Sequence, residues 1–128
     1  MDAATWIFNT LTNDAAISAK VGARIYRDVA PEGTAFPFVV YQQVSKTPVY
    51  NAFYDRLMFN ERWQVKAVDK GNLYSNIEPV ASQIVTLLHK KSAAGIFSST
   101  LEFYISLSEN DAGETYKTLL TEFRINTE

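Results

Sequence analysis

The stretch from Leu57 to Asp69 constrains the fold more than any other. Leu57, Phe59, Trp63, Val65 and Ala67 hold one parity, and Asn60, Arg62, Gln64 and Lys66 hold the other. Successive side chains of an extended chain point to opposite faces, so this pattern is a strand with one face on a core and the other in water. Glu61 is the one charge on the apolar parity. A strand of this kind needs antiparallel neighbours and a layer that covers its apolar side.

The covering layer is readable downstream. Leu73, Ile77, Val80, Ala81, Ile84, Val85 and Leu88 recur at helical spacing, and His89, Lys90 and Lys91 follow where cations oppose the negative end of a helix. Pro79 interrupts this pattern: either the helix kinks there, or it begins near Asn76 and holds Pro79 in its first turn. Two shorter helices are predicted near the start. One runs over about Ala3 to Leu11 with Asp2 as cap, and one over Ala15 to Val21 with Asp14 as cap and Gly22 as terminator.

Other strands surround the first. Arg24 to Arg27 is a short β-branched and aromatic run, and 28–37, with two prolines and a glycine, is a loop. Phe38 to Ser45 alternates, with Phe38, Val40 and Val44 assigned to one face and Val39 and Tyr41 to the other. Leu101, Phe103, Ile105 and Leu107 share a face in one late strand, and Leu119, Phe123 and Ile125 share one in the next, with Glu109 to Glu114 as the turn. The order is helix, short helix, three strands, helix, two strands. That order predicts one α+β domain over 1–128: a mostly antiparallel sheet of four to five strands with helices packed on one face. Its expected core is Trp6, Phe38, Val40, Trp63, Val65, Ile84, Leu88, Phe103 and Ile105.

Composition narrows the function. The formal net charge of −2 provides no basic field for a nucleic-acid backbone or an anionic membrane. No cysteine is present, which removes thiol catalysis, disulfides and thiolate metal sites and suits a reducing cytoplasm. No apolar run approaches the ~18 to 20 residues of a membrane span, and no export signal opens the chain, so the expectation is a soluble protein that does not enter a membrane. The single histidine, His89, reads as a helix-end cation. No phosphate-binding loop, dinucleotide fingerprint, zinc-protease helix or nucleophile elbow occurs. The expectation is no enzyme, no catalytic residue, no cofactor and no metal.

Candidate partner-binding residues lie elsewhere. Lys46 to Arg56 is predicted as a loop too long for a tight hairpin, and it is rich in aromatics. Tyr50, Phe53 and Tyr54 either fold back over the domain's own core or form a protrusion that anchors a partner. Glu61, on an apolar face, either lies past the edge of the helix layer or is an interface charge; Glu61 and the adjacent Arg62 join the three aromatics as candidates for subunit or partner contact.

A family resemblance rests on Val21-Gly22-Ala23-Arg24-Ile25-Tyr26, Pro31, Phe36-Pro37-Phe38-Val39-Val40-Tyr41, the Thr47-Pro48 segment, the Trp63-Gln64-Val65 strand and the long helix. In these the chain resembles the tail-completion or tail-terminator proteins of long-tailed bacteriophages, the tail-to-head joining group, over most of its length. The resemblance implies a virion protein, assembled in the host cytoplasm, that forms a homo-hexameric ring on the tail tube. The ring would stop tube polymerisation and dock the head connector or stopper protein, with DNA passing through it without specific binding. Neighbouring roles, a head-completion adaptor or a minor tail protein, share these features, and a small non-viral binding module is the alternative outside the virion.

Overall fold

The computed structural model covers Met1–Glu128. Helix α1 (Ala3–Thr12) starts at Asp2, whose carboxylate accepts the Thr5 N–H at 2.7 Å. That bond to a helix-start amide holds the Asp2 carboxyl below the usual carboxylate range. Helix α2 (Ala15–Val21) repeats the device: Asp14 accepts the Ile17 N–H at 3.0 Å, and Gly22, at φ 59°, ends the helix. Asp14 also accepts from Gln83 Nε2 at 3.1 Å, fastening this cap to the third helix.

Strands β1 (Ile25–Arg27), β2 (Phe38–Tyr50) and β3 (Arg56–Lys70) follow, then α3 (Glu78–Leu88), β4 (Lys91–Ala93), β5 (Ile96–Asp111) and β6 (Glu114–Thr127). They form one six-stranded sheet in the order β1-β2-β3-β6-β5-β4, antiparallel except for the β1–β2 pair. The sheet therefore has more strands than the expected four to five. The added strand is β4, whose first residue, Lys91, the helical spacing places at the helix end.

The helix starts late, with Pro79 in its first turn, where a missing N–H removes no helical bond. It ends at Leu88 with His89 as its C-cap residue, and His89 Nδ1 accepts the Leu101 N–H at 3.0 Å, which ties the end of α3 to β5. At the β4–β5 turn, Gly95 has φ +81°, and a Cβ there would lie 2.6 Å from the Met1 carbonyl oxygen; the chain's start can cross this turn only over a glycine. No helix is long and apolar enough to cross a membrane.

All three helices contribute to one core, in which Trp6, Ile7, Leu11, Ile17, Ile84 and Leu88 meet Val39, Tyr41, Trp63, Val65, Phe123 and Ile125. Trp6, Trp63, Val65, Ile84 and Leu88 are buried as expected. Val40 is buried as well, 7% exposed, but on the other face of the sheet, and Phe38, Phe103 and Ile105 also lie outside this core, for two reasons. In β2 both parities are apolar, so alternation cannot choose a face. Register chooses: Val39 lies opposite Ala67 and Tyr41 opposite Val65, which sends Val40 and Phe38 to the outer face. There Phe38 packs against Phe36, which in turn meets Tyr116.

In β5 a bulge falls between Leu101 and Phe103. One extra residue reverses the parity of everything after it. Leu101 packs on the core, whereas Phe103, Ile105 and Leu107 emerge on the outer face, with Phe103 50% exposed.

Candidate functional site

Two hairpins extend the sheet past its helix layer. The first is β2–β3. The expected loop from Lys46 to Arg56 is mostly strand: β2 runs to Tyr50, β3 begins at Arg56, and Thr47 and Pro48 pair across to Asn60 and Phe59. Proline is tolerated because β1 covers β2 only at Val39–Tyr41, so beyond that point β2 is an edge strand and needs no outward donor. The tip, 51–55, is organised by Asn51, whose side-chain oxygen accepts the N–H groups of Phe53 at 2.8 Å and Asp55 at 3.1 Å. Tyr54 occupies the left-handed region at φ 64°.

This tip presents Tyr50, Phe53 and Tyr54 together. Phe53 and Tyr54 are 85% and 86% exposed and Tyr50 is 53% exposed, so none of them folds back over the core. Below the tip, Lys46 Nζ and the Arg56 guanidinium lie 4.4 and 4.3 Å from the centre of the Phe59 ring, two cations held against one aromatic. Neither makes an ion pair within the chain.

Glu61 sits at the base of the same hairpin, 3% exposed, beside the start of α1, where Asp2, Lys46 and Thr127 surround it. One carboxylate oxygen accepts from Gln43 Nε2 at 2.9 Å and from Trp63 Nε1 at 3.0 Å; the other accepts from the Thr127 hydroxyl at 2.5 Å. A buried carboxylate costs heavily unless its lone pairs are used, and here three neutral donors from β2, β3 and β6 use them. Removing that acceptor in Glu61→Ala leaves the three donors unpaired, an expected loss of about 2 to 4 kcal/mol in chemical denaturation. Glu61→Gln keeps one acceptor oxygen and should lose about 1 kcal/mol. Arg62, one residue on, faces the outer side, 3.7 Å from Glu122.

The second hairpin, β5–β6, was not singled out from sequence. β4 covers β5 only as far as Ser99, and the rest of that edge has no strand beside it. Its outer face carries Phe103, Ile105 and Leu107, and its end carries Glu109 and Asp111, which make no ion pair in the chain. The available signal was the passage from an apolar alternation into Ser-Glu-Asn-Asp, which marks where a strand leaves its core. On the opposite face of β5, burial pushes the Tyr104 phenol up, aided by the Glu78 carboxylate.

The fold thus brings Tyr50, Phe53 and Tyr54 to one point, puts Arg62 lower on the same hairpin, and spends Glu61 on internal bonds. No three His, Asp or Glu side chains gather as metal ligands.

Residues 5–128 match the family described as tail completion protein gp17. Among solved structures, a chain of the virion of a native gene transfer agent particle superposes with a TM-score of 0.66, covering 94% of this chain and 91% of that one. At 14% identity that likeness is one of fold. No curated protein matches the sequence.

Proposed function

We propose, from the premise that this chain belongs to the tail completion protein gp17 family, that it is a structural protein that caps the tail tube of a phage or phage-like particle. The family match over nearly the whole chain carries the reading. In this reading the chain forms a homo-hexameric ring on the end of the tube, halts addition of tube protein and offers its free face to the head connector or stopper protein. It does no chemistry, binds no cofactor, and resides in the virion at the head–tail interface after assembly in the host cytoplasm.

The geometry suits such a ring. A closed ring requires two different patches on each subunit. The two hairpins supply them, since they leave the sheet at opposite ends of β3: the tip of one lies beyond Arg56 and the tip of the other beyond Lys70. The mildly acidic chain is also suited to a channel that DNA crosses without adhering, because a basic lining would hold the phosphates.

Deleting the gene from its particle is the test. The expected result, by electron microscopy, is DNA-filled heads with tails absent, overlong or unattached. Tails of normal length joined to heads would overturn the reading.

A further inference from the structure

Strands β2 and β5 both run past their short neighbours, and the peptide groups they leave uncovered differ. On β2, Val39 donates to the Arg24 carbonyl and Tyr41 accepts from the Asp28 N–H, each at 2.9 Å. Residues opposite Ala67 and Val65 therefore turn their peptide groups away from β3, toward the sheet edge. Carried along the strand, that parity puts Gln43, Lys46 and Pro48, opposite Trp63, Glu61 and Phe59, on the edge beyond β1. Their spacing is broken. The register slips between Gln43 and Ser45 with Val44 as the inserted residue, so Lys46 follows Gln43 by three positions where an even strand has two. Pro48 has no N–H to offer. A second slip between Val49 and Tyr50 then sets Tyr50 opposite Arg56, on the parity that faces β3. An added strand pairs with every second residue, and beyond Tyr41 this edge nowhere presents two donors in succession at that interval.

The β5 edge is the opposite case. Ser99 accepts from the Lys90 N–H at 2.8 Å and Leu101 donates to His89 Nδ1, so the residues opposite Ile125 and Phe123 turn away from β6. Past the slip at Glu102, the same parity falls on Tyr104, Ser106, Ser108 and Asn110, opposite Thr121, Leu119, Lys117 and Thr115. These four follow at even intervals, each has an N–H, and the outer face beside them carries Ile105 and Leu107, each 37% exposed. A long, regular edge with apolar side chains is a template for another strand. Two β5 edges that met would stop at two copies, because the contact uses the same edge of both. A β5 edge that met a β2 edge would leave a free edge of each kind and pass the contact on from copy to copy.

We infer that Val44 and Pro48 disable the β2 edge, so that copies of this chain do not grow sheet to sheet and the β2–β3 hairpin makes contact through its side chains. A bulge and a proline are two of the devices by which an exposed edge is kept from pairing, and here both fall within the stretch that β1 leaves uncovered. The inference stands on the sheet edges and is independent of the capping role.

The test repairs the edge in the full chain. Deleting Val44 together with Pro48→Thr gives the open part of β2 evenly spaced donors, and Pro48→Thr alone is the milder repair that leaves every strand register in place. Circular dichroism and melting establish that each variant folds; if the deletion does not, Pro48→Thr decides. In light scattering over a concentration series, the repaired chains should form species that grow with concentration to at least twice the mass of the wild-type species, the deletion variant more steeply. Ser106→Pro then removes an N–H from the β5 edge at a position turned away from β6, where no ladder bond is lost. Added to either repaired chain, it should return the mass to the wild-type value. A folded repaired chain that keeps the wild-type mass at every concentration would overturn the inference, and growth that Ser106→Pro leaves unchanged would overturn it too, since the copies would then be joining elsewhere than edge to edge.

Discussion

Truncating Trp63 to alanine is expected to cost about 3 to 5 kcal/mol, the range for removing a large aromatic from a closed core. Three separate losses converge at this position. The side chain is 2% exposed, and across the strands it faces Phe123 on one side and Gln43 on the other. The Tyr41 ring lies 6.2 Å away and the Arg27 guanidinium 5.3 Å above the indole, and both lose that partner. The indole N–H is one of the three donors that satisfy Glu61, so the truncation also weakens the site of a buried carboxylate. A domain of this size has a total stability of about 5 to 15 kcal/mol, so the variant should melt far below the wild type. Trp63→Phe separates the contributions: it keeps most of the volume, loses the donor, and should cost about 1 to 2 kcal/mol. Equal losses in the two variants would mean that the hydrogen bond, and not the packing, dominates here.

What could be read in advance follows the range of the interaction that decides each feature. Caps, breakers and long alternations are decided within a few residues. Asp2 and Asp14 bond amides three residues on, Pro79 settles in a first turn, and β3 shows its parity from Glu61 to Asp69, although Leu57, read on the same face, is exposed; these were legible. The facing of β2 was not, because Val39 and Tyr41 are as apolar as Phe38 and Val40 and only the partner strand breaks the tie. The bulge at the Leu101–Phe103 step has no glycine or proline to mark it, and it alone turned two core candidates, Phe103 and Ile105, outward. Glu61 read as an edge or interface charge because two of its three donors stand 18 and 66 positions away in the chain, and only the pairing of β2, β3 and β6 assembles all three. The same limit hid the second hairpin, whose importance depends on β4 ending early and not on any residue of its own.

The tip aromatics should behave in the opposite way to Trp63. In the triple variant Tyr50→Ser, Phe53→Ser and Tyr54→Ser, none of the three removed side chains is buried, so the free chain should keep its melting temperature to within about 0.5 kcal/mol of stability. Asn51, which folds the tip through two bonds from its side-chain oxygen, is retained, so the 51–55 turn should hold its shape. Attachment is where the change should appear. Aromatic anchors at the centre of an interface contribute about 2 kcal/mol or more each when truncated, roughly thirtyfold in affinity apiece, and three on one rigid turn act on the same contact. Ring formation or tail attachment should therefore be lost, measured by native mass spectrometry for the first and by electron microscopy of complemented particles for the second. A large drop in the melting temperature of the free variant would assign these side chains to the fold; normal rings and normal particles would show that the tip projects into empty solvent. Loss of attachment from a chain that melts like the wild type is the result expected of a surface whose apolar area is kept for a partner and not for its own core.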